Sequence, residues 1–416
     1  MKVKIFYGWW VVVSVLLAML VHAGAVFYVF GIFYQPFLEE FGWSRAAVAG
    51  AITIYMVTLG ITAPLIGKLT DKYGAKMVIW VGALCGGIAF ILLSRITSLL
   101  QLYVLYFILG IGFSACGIVP VNSAISNWFT KKRGTAIGIA MAGVSLGAII
   151  ITPTGGYIMT HFGWRATYLF LAILTWLLVI PIVVWVMKNT PQEMGLLPDG
   201  NTPLVNHEDA VTSQDSHQSD QEEAWTLKRA TKSGSFWLIN LAFFLICIGI
   251  GAVLQHEIVF FTDKGIPMTA AAVALGLTGF IGGFGKITFG TLADRFSPKY
   301  IAMLCFTLQA FGTLLLLFTQ SMIMVWVFVF VFGFSMGGQI ALQPLVVGQF
   351  FGLASFGTIY GIIAMAGAIG SATGPVIAGL AYDSSGSYNW VFLGCVVASL
   401  MAVVSIFLSR RQAPQL

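Results

Sequence analysis

Lys286 lies in the middle of an apolar run, Gly282-Gly-Phe-Gly-Lys286-Ile-Thr-Phe289. A charge at bilayer depth costs several kcal/mol on insertion scales unless it faces a cavity or a partner. It is a point charge suited to an anion, without the two-pronged grip of arginine; the alternative is a lysine that snorkels or pairs with a helix carbonyl. His22, inside another apolar run, has an imidazole that either donates to a carboxylate and carries a proton or is satisfied by its neighbours. His256 and Glu257 stand together in Gln255-His256-Glu257-Ile-Val-Phe-Phe, placed for proton uptake or an outer gate. Asn122, Gln339 and Gln343 add amides, the two glutamines four apart on one helical face, where they either line a cavity or bond neighbouring helices. Gln309 and Asn240 stand alone. No P-loop, metal cluster or nucleophile triad is present, and the expectation is no enzyme activity, no metal and no cofactor.

The elements that position these groups must cross a membrane. Of 416 residues 58% are hydrophobic and 9% charged, with a mean hydropathy of +0.93, against roughly 25% charged in soluble domains. Apolar runs fall near 8–34, 45–66, 76–94, 100–128, 134–160 and 166–187, then 235–261, 268–291, 299–318, 322–349, 356–381 and 388–408, each near the ~20 residues a span needs. The first is too long for a signal peptide and reads as a retained span. Cys85, Cys116, Cys247, Cys305 and Cys395 fall inside runs without metal spacing and read as small packing residues.

The runs form two sets of six, giving an expected N-terminal bundle 1–187, a linker 188–234 and a C-terminal bundle 235–416. The linker holds eight of the 15 acidic residues and has the composition of a flexible tether. With the N-terminus inside, 16 of the 21 Lys and Arg fall on the cytoplasmic side, four (Arg45, Arg95, Arg165, Lys264) outside, and Lys286 within span eight. Both termini and the linker are therefore expected in the cytoplasm. The positive charge is spread between spans, so nucleic acid is not an expected partner.

The halves echo each other. Gly67-Lys-Leu-Thr-Asp71-Lys72-Tyr follows span two and Gly290-Thr-Leu-Ala-Asp294-Arg295-Phe follows span eight, their aspartates 223 positions apart; Trp164 and Trp390 are 226 apart. Glycine in such a loop lets helix ends approach. The aspartate is suited to cap the next helix and meet a basic partner, which makes Asp71, Asp294, Lys72 and Arg295 candidates for a cytoplasmic gate.

This twice-used loop resembles the hallmark of the major facilitator superfamily, which implies an all-α membrane protein of twelve transmembrane helices, two six-helix bundles related by a pseudo-twofold axis. Phe129-Thr-Lys131-Lys132-Arg133-Gly-Thr-Ala136-Ile-Gly138-Ile-Ala140-Met-Ala142-Gly143 resembles the fourth-to-fifth-helix signature of monocarboxylate transporters. Tyr7-Gly-Trp9-Trp10, Phe41-Gly-Trp43-Ser-Arg45, Met194-Gly-Leu-Leu-Pro-Asp199-Gly, Phe236-Trp237 and Gly374-Pro375 resemble bacterial members of that group and the neighbouring oxalate–formate exchangers. The resemblance implies that Asn122 faces substrate and that His256 occupies the place of an outer-mouth histidine. It also implies a substrate-binding arginine eight residues before Asp294, where this chain has Lys286. The exchangers' second basic residue, in helix eleven, has no counterpart in Tyr360-Gly-Ile-Ile-Ala-Met-Ala-Gly367, which favours a monoanion over a dianion. The drug-exporter pattern is matched only out of register by Gly147, Thr152 and Pro153-Thr-Gly155-Gly156.

The expected function is secondary transport of a lactate- or pyruvate-like monocarboxylate with protons, by alternating access, as a monomer in the inner cell membrane. Lys286, Asn122, His22, Gln339 and Gln343 would bind substrate, and His256 and Glu257 would serve proton coupling or the outer gate. An oxalate–formate type of exchanger, a carrier of another small polar solute, and a non-transporting receptor are the alternatives. The topology is testable by labelling from outside: in a cysteine-free background, Ser213→Cys in intact cells is expected to stay unlabelled until the membrane is opened. Strong labelling in sealed cells would invert the assignment.

Overall fold

The computed structural model describes residues 6–200 and 225–410. Within them every regular element is helical, as a hydrocarbon solvent requires when each backbone polar group must be satisfied inside its own segment. Eleven of the described helices are long and apolar enough to cross a bilayer. The twelfth is hidden in Arg133–Pro181, which Gly163, at φ 80° and ψ 174°, divides into spans five and six; only glycine takes that conformation without strain. The other spans are one, Gly8–Phe41; two, Arg45–Tyr73; three, Ala75–Leu93; four, Leu99–Trp128; seven, Gly234–Asp263; eight, Met268–Arg295; nine, Pro298–Leu317; ten, Met322–Phe351; eleven, Phe356–Ser385; and twelve, Tyr388–Leu408.

Spans one to six contact one another, as do seven to twelve, and the two sets meet along two seams, span two on eleven and span five on eight. The seams are tight because glycines on one helix lie against carbonyls of the other. A Cβ on Gly67 would run into the carbonyl of Gly357, and one on Gly134 into that of Gly290. With no hydrophobic drive between helices in lipid, such small-residue contacts supply the association. On the face away from Asp71 and Asp294, Glu40 accepts from Trp164 Nε1 at 2.6 Å and pairs with Arg165, also at 2.6 Å, tying span one to span six.

Two spans are irregular at the same depth. Span one is α-helical to His22, then passes through a π-helical turn, Ala23–Tyr28, and a 3-10 stretch, Val29–Phe33, before regaining α geometry. Span four stops at Ala115 and restarts at Ile118, with Gly117 extended at φ −86° and ψ −164°. Gly110 and Gly112 sit close on Thr58 and on Gly82, as helix-crossing glycines. Gly117, in the same apolar run, instead marks the break.

Among the described residues the two ends of the linker are docked. Trp128 Nε1 donates to Lys188 O at 2.9 Å and Lys76 N to Asn189 Oδ1 at 2.9 Å. Asp199 accepts from the backbone of Thr130 and Lys131 at 3.0 and 2.7 Å, and the Trp225 ring meets that of Phe351. Residues 201–224, with most of the linker's acids, and the basic residues Lys2, Lys4 and Arg411 lie outside the described residues.

Candidate functional site

The site begins at the face where the repeated loops lie. Asp71 accepts from Gly357 N, Thr358 N and Thr358 Oγ1 at 2.8, 2.8 and 2.6 Å. Asp294 accepts from Gly134 N, Thr135 N and Thr135 Oγ1 at 2.5, 2.8 and 2.6 Å. Each carboxylate thus takes the free N–H groups and positive pole of a helix start, and each helix belongs to the opposite half. The expectation of a cap on the next helix is corrected: Asp71 sits on span eleven and Asp294 on span five. Lys72 lies over the Tyr73 ring and Arg295 is exposed; among the described residues no cation reaches either aspartate at ion-pair distance. This aspartate face is shut by hydrogen bonds.

Away from it, a cavity of about 650 Å³ opens between the halves, walled by spans one, two, four, seven and eleven. On span two its lining runs from Ala63, about 15 Å from Tyr73 by helical rise, to Ile52, about 30 Å away. Its polar groups are His22, Thr53, Ser114, Gln255 and Ser371, set among aliphatic side chains. The His22 ring lies on Phe113 at 5.7 Å between centroids, and its Nδ1 is buried with no hydrogen-bond partner.

The other expected substrate residues are placed elsewhere. Asn122 is buried one turn below Ile118, its Nδ2 donating to the Tyr360 hydroxyl at 3.1 Å. That bond joins spans four and eleven and forms a floor between cavity and aspartate face. Gln339 Nε2 donates to Cys247 Sγ and Gln343 Nε2 to Ile363 O, both at 3.4 Å, so the glutamine pair bonds neighbouring helices. Lys286 is buried and off the cavity lining, its Nζ donating to Ser145 Oγ at 3.2 Å across the seam of spans five and eight. His256 reaches Tyr388 Oη and Pro375 O at 3.1 Å each, fastening span seven to spans twelve and eleven. Glu257 is fully buried, with Thr278 Oγ1 donating at 3.5 Å and Oε2 without a partner.

Sequence reasoning missed Tyr360 and Ser145. Their types are common in spans, and only the fold brings them to Asn122 and Lys286. The Gly-Thr helix starts carried a signal that was readable: Gly134 and Gly357 are separated by the same 223 positions as the aspartates.

The family model described as Major Facilitator Superfamily matches residues 15–371, and again 259–416. The chain belongs to that superfamily. Monocarboxylate transporter 12 of Mus musculus is 25% identical over 95% of this chain and 84% of its own length. The uncharacterized MFS-type transporter YcxA of Bacillus subtilis is 23% identical over 93% and 92%. The solved outward conformation of the transporter FucP superposes with a TM-score of 0.74 at 14% identity, covering 96% of this chain and 99% of that one, which shows the shared fold. The chain is therefore a multi-pass membrane transporter of this superfamily, related to the monocarboxylate transporters.

The reciprocal caps predict a rate effect. Asp71→Asn or Asp294→Asn turns an amide donor toward helix N–H groups and is expected to slow uptake in proteoliposomes at least fivefold, with binding affinity within a few-fold of wild type. An affinity loss equal to the rate loss would show that the caps and the cavity are not separate.

Proposed function

We propose that the protein carries a lactate- or pyruvate-like monocarboxylate together with a proton, by alternating access, as a monomer in the inner cell membrane with both termini in the cytoplasm. The observation that supports this most is the likeness to monocarboxylate transporter 12 along nearly the whole chain, joined to a cavity between halves that are latched on one face only. In this reading the aspartate face is the cytoplasmic gate, the boundaries 1–187, 188–234 and 235–416 separate two rocking bundles and their linker, and the cavity of spans one, two, four, seven and eleven is the outward vestibule.

Lys286 is the proposed counter-charge. Its ammonium is spent on a hydroxyl across the five–eight seam, the contact that must loosen when the bundles rock, and loosening it frees a cation for the anion. Moving the anion with a proton cancels the net charge carried through the bilayer, where one elementary charge is worth about 2.3 kcal/mol per 100 mV. Glu257 is the proposed proton holder: it is fully buried, with Thr278 donating to one oxygen and the other without a partner, and no cation lies at ion-pair distance among the described residues. His256, fastened to Pro375 on the cavity wall, is proposed as part of the outer gate. Asn122, Gln339 and Gln343 are proposed to meet substrate once their bonds to Tyr360, Cys247 and the Ile363 carbonyl part.

The test is Lys286→Gln. A charge-assisted hydrogen bond is worth about 1.5–3 kcal/mol, so the variant is expected to insert normally and bind the anion at least tenfold more weakly in proteoliposome uptake of labelled lactate or pyruvate. Lys286→Arg is expected to be milder, since the guanidinium grips both oxygens. A well-expressed Gln variant with unchanged affinity and rate would make Lys286 structural.

A further inference from the structure

The stretch Met194-Gly-Leu-Leu-Pro-Asp199-Gly and the residues just before it line no part of the cavity, yet they are built as a fixed object. Pro191–Met194 form a 3-10 turn closed by Gly195 in the left-handed region, and Pro191 is buried. Asn189 N donates to Glu193 Oε1 at 3.2 Å, and Leu196 N to Pro191 O at 3.0 Å. Asp199 is held at φ 60°, the one residue other than glycine with a positive φ among those described. Such a backbone persists where its surroundings over-determine it. Here the carboxylate takes three N–H groups of one turn, those of Thr130, Lys131 and Lys132, at 3.0, 2.7 and 3.4 Å.

What this stretch touches is the latch of its own half. The turn that Asp199 holds ends at Lys132, two residues before Gly134, whose N–H meets Asp294. At the other end, Asn189 Oδ1 accepts from Lys76 N, in the first turn of span three, at 2.9 Å. The same carboxamide lies over Gly74, where a Cβ would come within 2.6 Å of it, and Gly74 is three residues after Asp71. Between these two points, Asn127 Nδ2 donates to Asn189 O at 3.4 Å and Trp128 Nε1 to Lys188 O at 2.9 Å, both from the last turn of span four. One strap, residues 188–200, thus fastens the loop that carries Asp71 to the turn that presents the helix start for Asp294. The C-terminal half does without one at the matching place: Lys299, 223 positions after Lys76, gives its N–H to Gln349 Oε1 of span ten at 3.1 Å. Gln349 Nε2 goes on to Ser297 Oγ at 2.8 Å.

We propose that Asn189 and Asp199 are positioning residues of the latch: the strap sets Asp71 and the Gly134–Thr135 helix start within reach of their partners in the other half, and so sets how much of the time the aspartate face is shut. Hydrogen bonds weaken steeply with stretch and misalignment, so a loop or turn free to shift by about 1 Å forfeits its share of the carboxylate bonds. This rests on the alternating-access reading, in which the cavity closes as the aspartate face opens, and is independent of which solute is carried.

The experiment uses Thr53→Cys as a reporter in an otherwise cysteine-free full chain, purified in detergent. Thr53 lines the cavity and is exposed with the aspartate face shut, so its rate of reaction with a maleimide follows the shut fraction. Asp199→Gly removes the carboxylate and suits the left-handed backbone; it is expected to slow labelling about fivefold, the shift that loss of one net hydrogen bond gives. Asp199→Asn keeps an acceptor oxygen and tolerates that backbone, and is expected to stay within about twofold of wild type. Asn189→Ala is expected to slow labelling as Asp199→Gly does, and serves if the glycine variant does not fold. Changes that act through one contact are not additive. Asp199→Gly is therefore expected to add nothing in an Asp294→Asn chain and to keep its full effect in an Asp71→Asn chain, and Asn189→Ala to do the reverse. Unchanged labelling in both strap variants, equal loss for Asp199→Gly and Asp199→Asn, or a full effect of Asp199→Gly on top of Asp294→Asn would overturn the positioning role. If Asp71→Asn and Asp294→Asn themselves leave labelling unchanged, the gate reading falls and the strap's role with it.

Discussion

Two carboxylates on two foreign helix starts hold one face of this transporter shut. A helix that begins at a membrane face presents N–H groups with no partner in its own segment, and at spans five and eleven those groups are taken by an aspartate from the other half. A charge at a helix end contributes about 0.3–1 kcal/mol where it is exposed, as at Asp71, and up to about 2 kcal/mol in partly buried geometry such as that of Asp294, and each carboxylate accepts two backbone bonds and one hydroxyl bond besides. The glycine seams allow the backbones to come close enough for those reaches. With that face closed, the halves splay where no such bonds exist, and there the cavity lies.

Between latch and cavity is a layer of weaker ties that also cross from helix to helix: Asn122 to Tyr360, Gln343 to the Ile363 carbonyl, Lys286 to Ser145. In hydrocarbon none of these groups has water to fall back on. Any rocking of the halves has to exchange partners in this layer, with a second protein group or with a bound ligand. That makes the layer a check on motion: polar groups left unpaired cost more than the ties are worth.

Much of this was legible in the sequence. Charge scarcity and run length gave twelve spans, and Gly163 beside Trp164 sits at the boundary between the fifth and sixth. Lys286 stood out as a charge in the middle of an apolar run, and the fold buries it. Its partner did not, because Ser145 is one hydroxyl among many and becomes special only when spans five and eight meet. Asn122 stood out by type, whereas Tyr360 is one of 13 tyrosines and nothing beside it in sequence sets it apart. The break in span four was invisible for a plain reason: Gly117 shares its apolar run with Gly110 and Gly112, which do allow helices to cross, and sequence does not distinguish a glycine that lies under a neighbour from one that interrupts its own helix. The docking of the linker's first end was equally hidden. Its acidic composition is that of a tether, but Asp199 is spent on backbone N–H groups of the 130–131 turn.

The aspartates are 223 positions apart, and so are the two Gly-Thr helix starts that receive them. Each half therefore carries one key and one keyhole, and its key fits the other's keyhole. A chain of half this length would hold everything needed to join a copy of itself about a twofold axis, since a self-complementary patch closes a symmetric pair. Such a pair would have to carry every intramembrane charge twice. In the joined chain, Ala63 stands 223 positions before Lys286, and Leu245 stands 223 after His22. The latch of the joined chain is symmetric and its interior is not: where one half has Lys286 or His22, the other has an aliphatic side chain at the matching place.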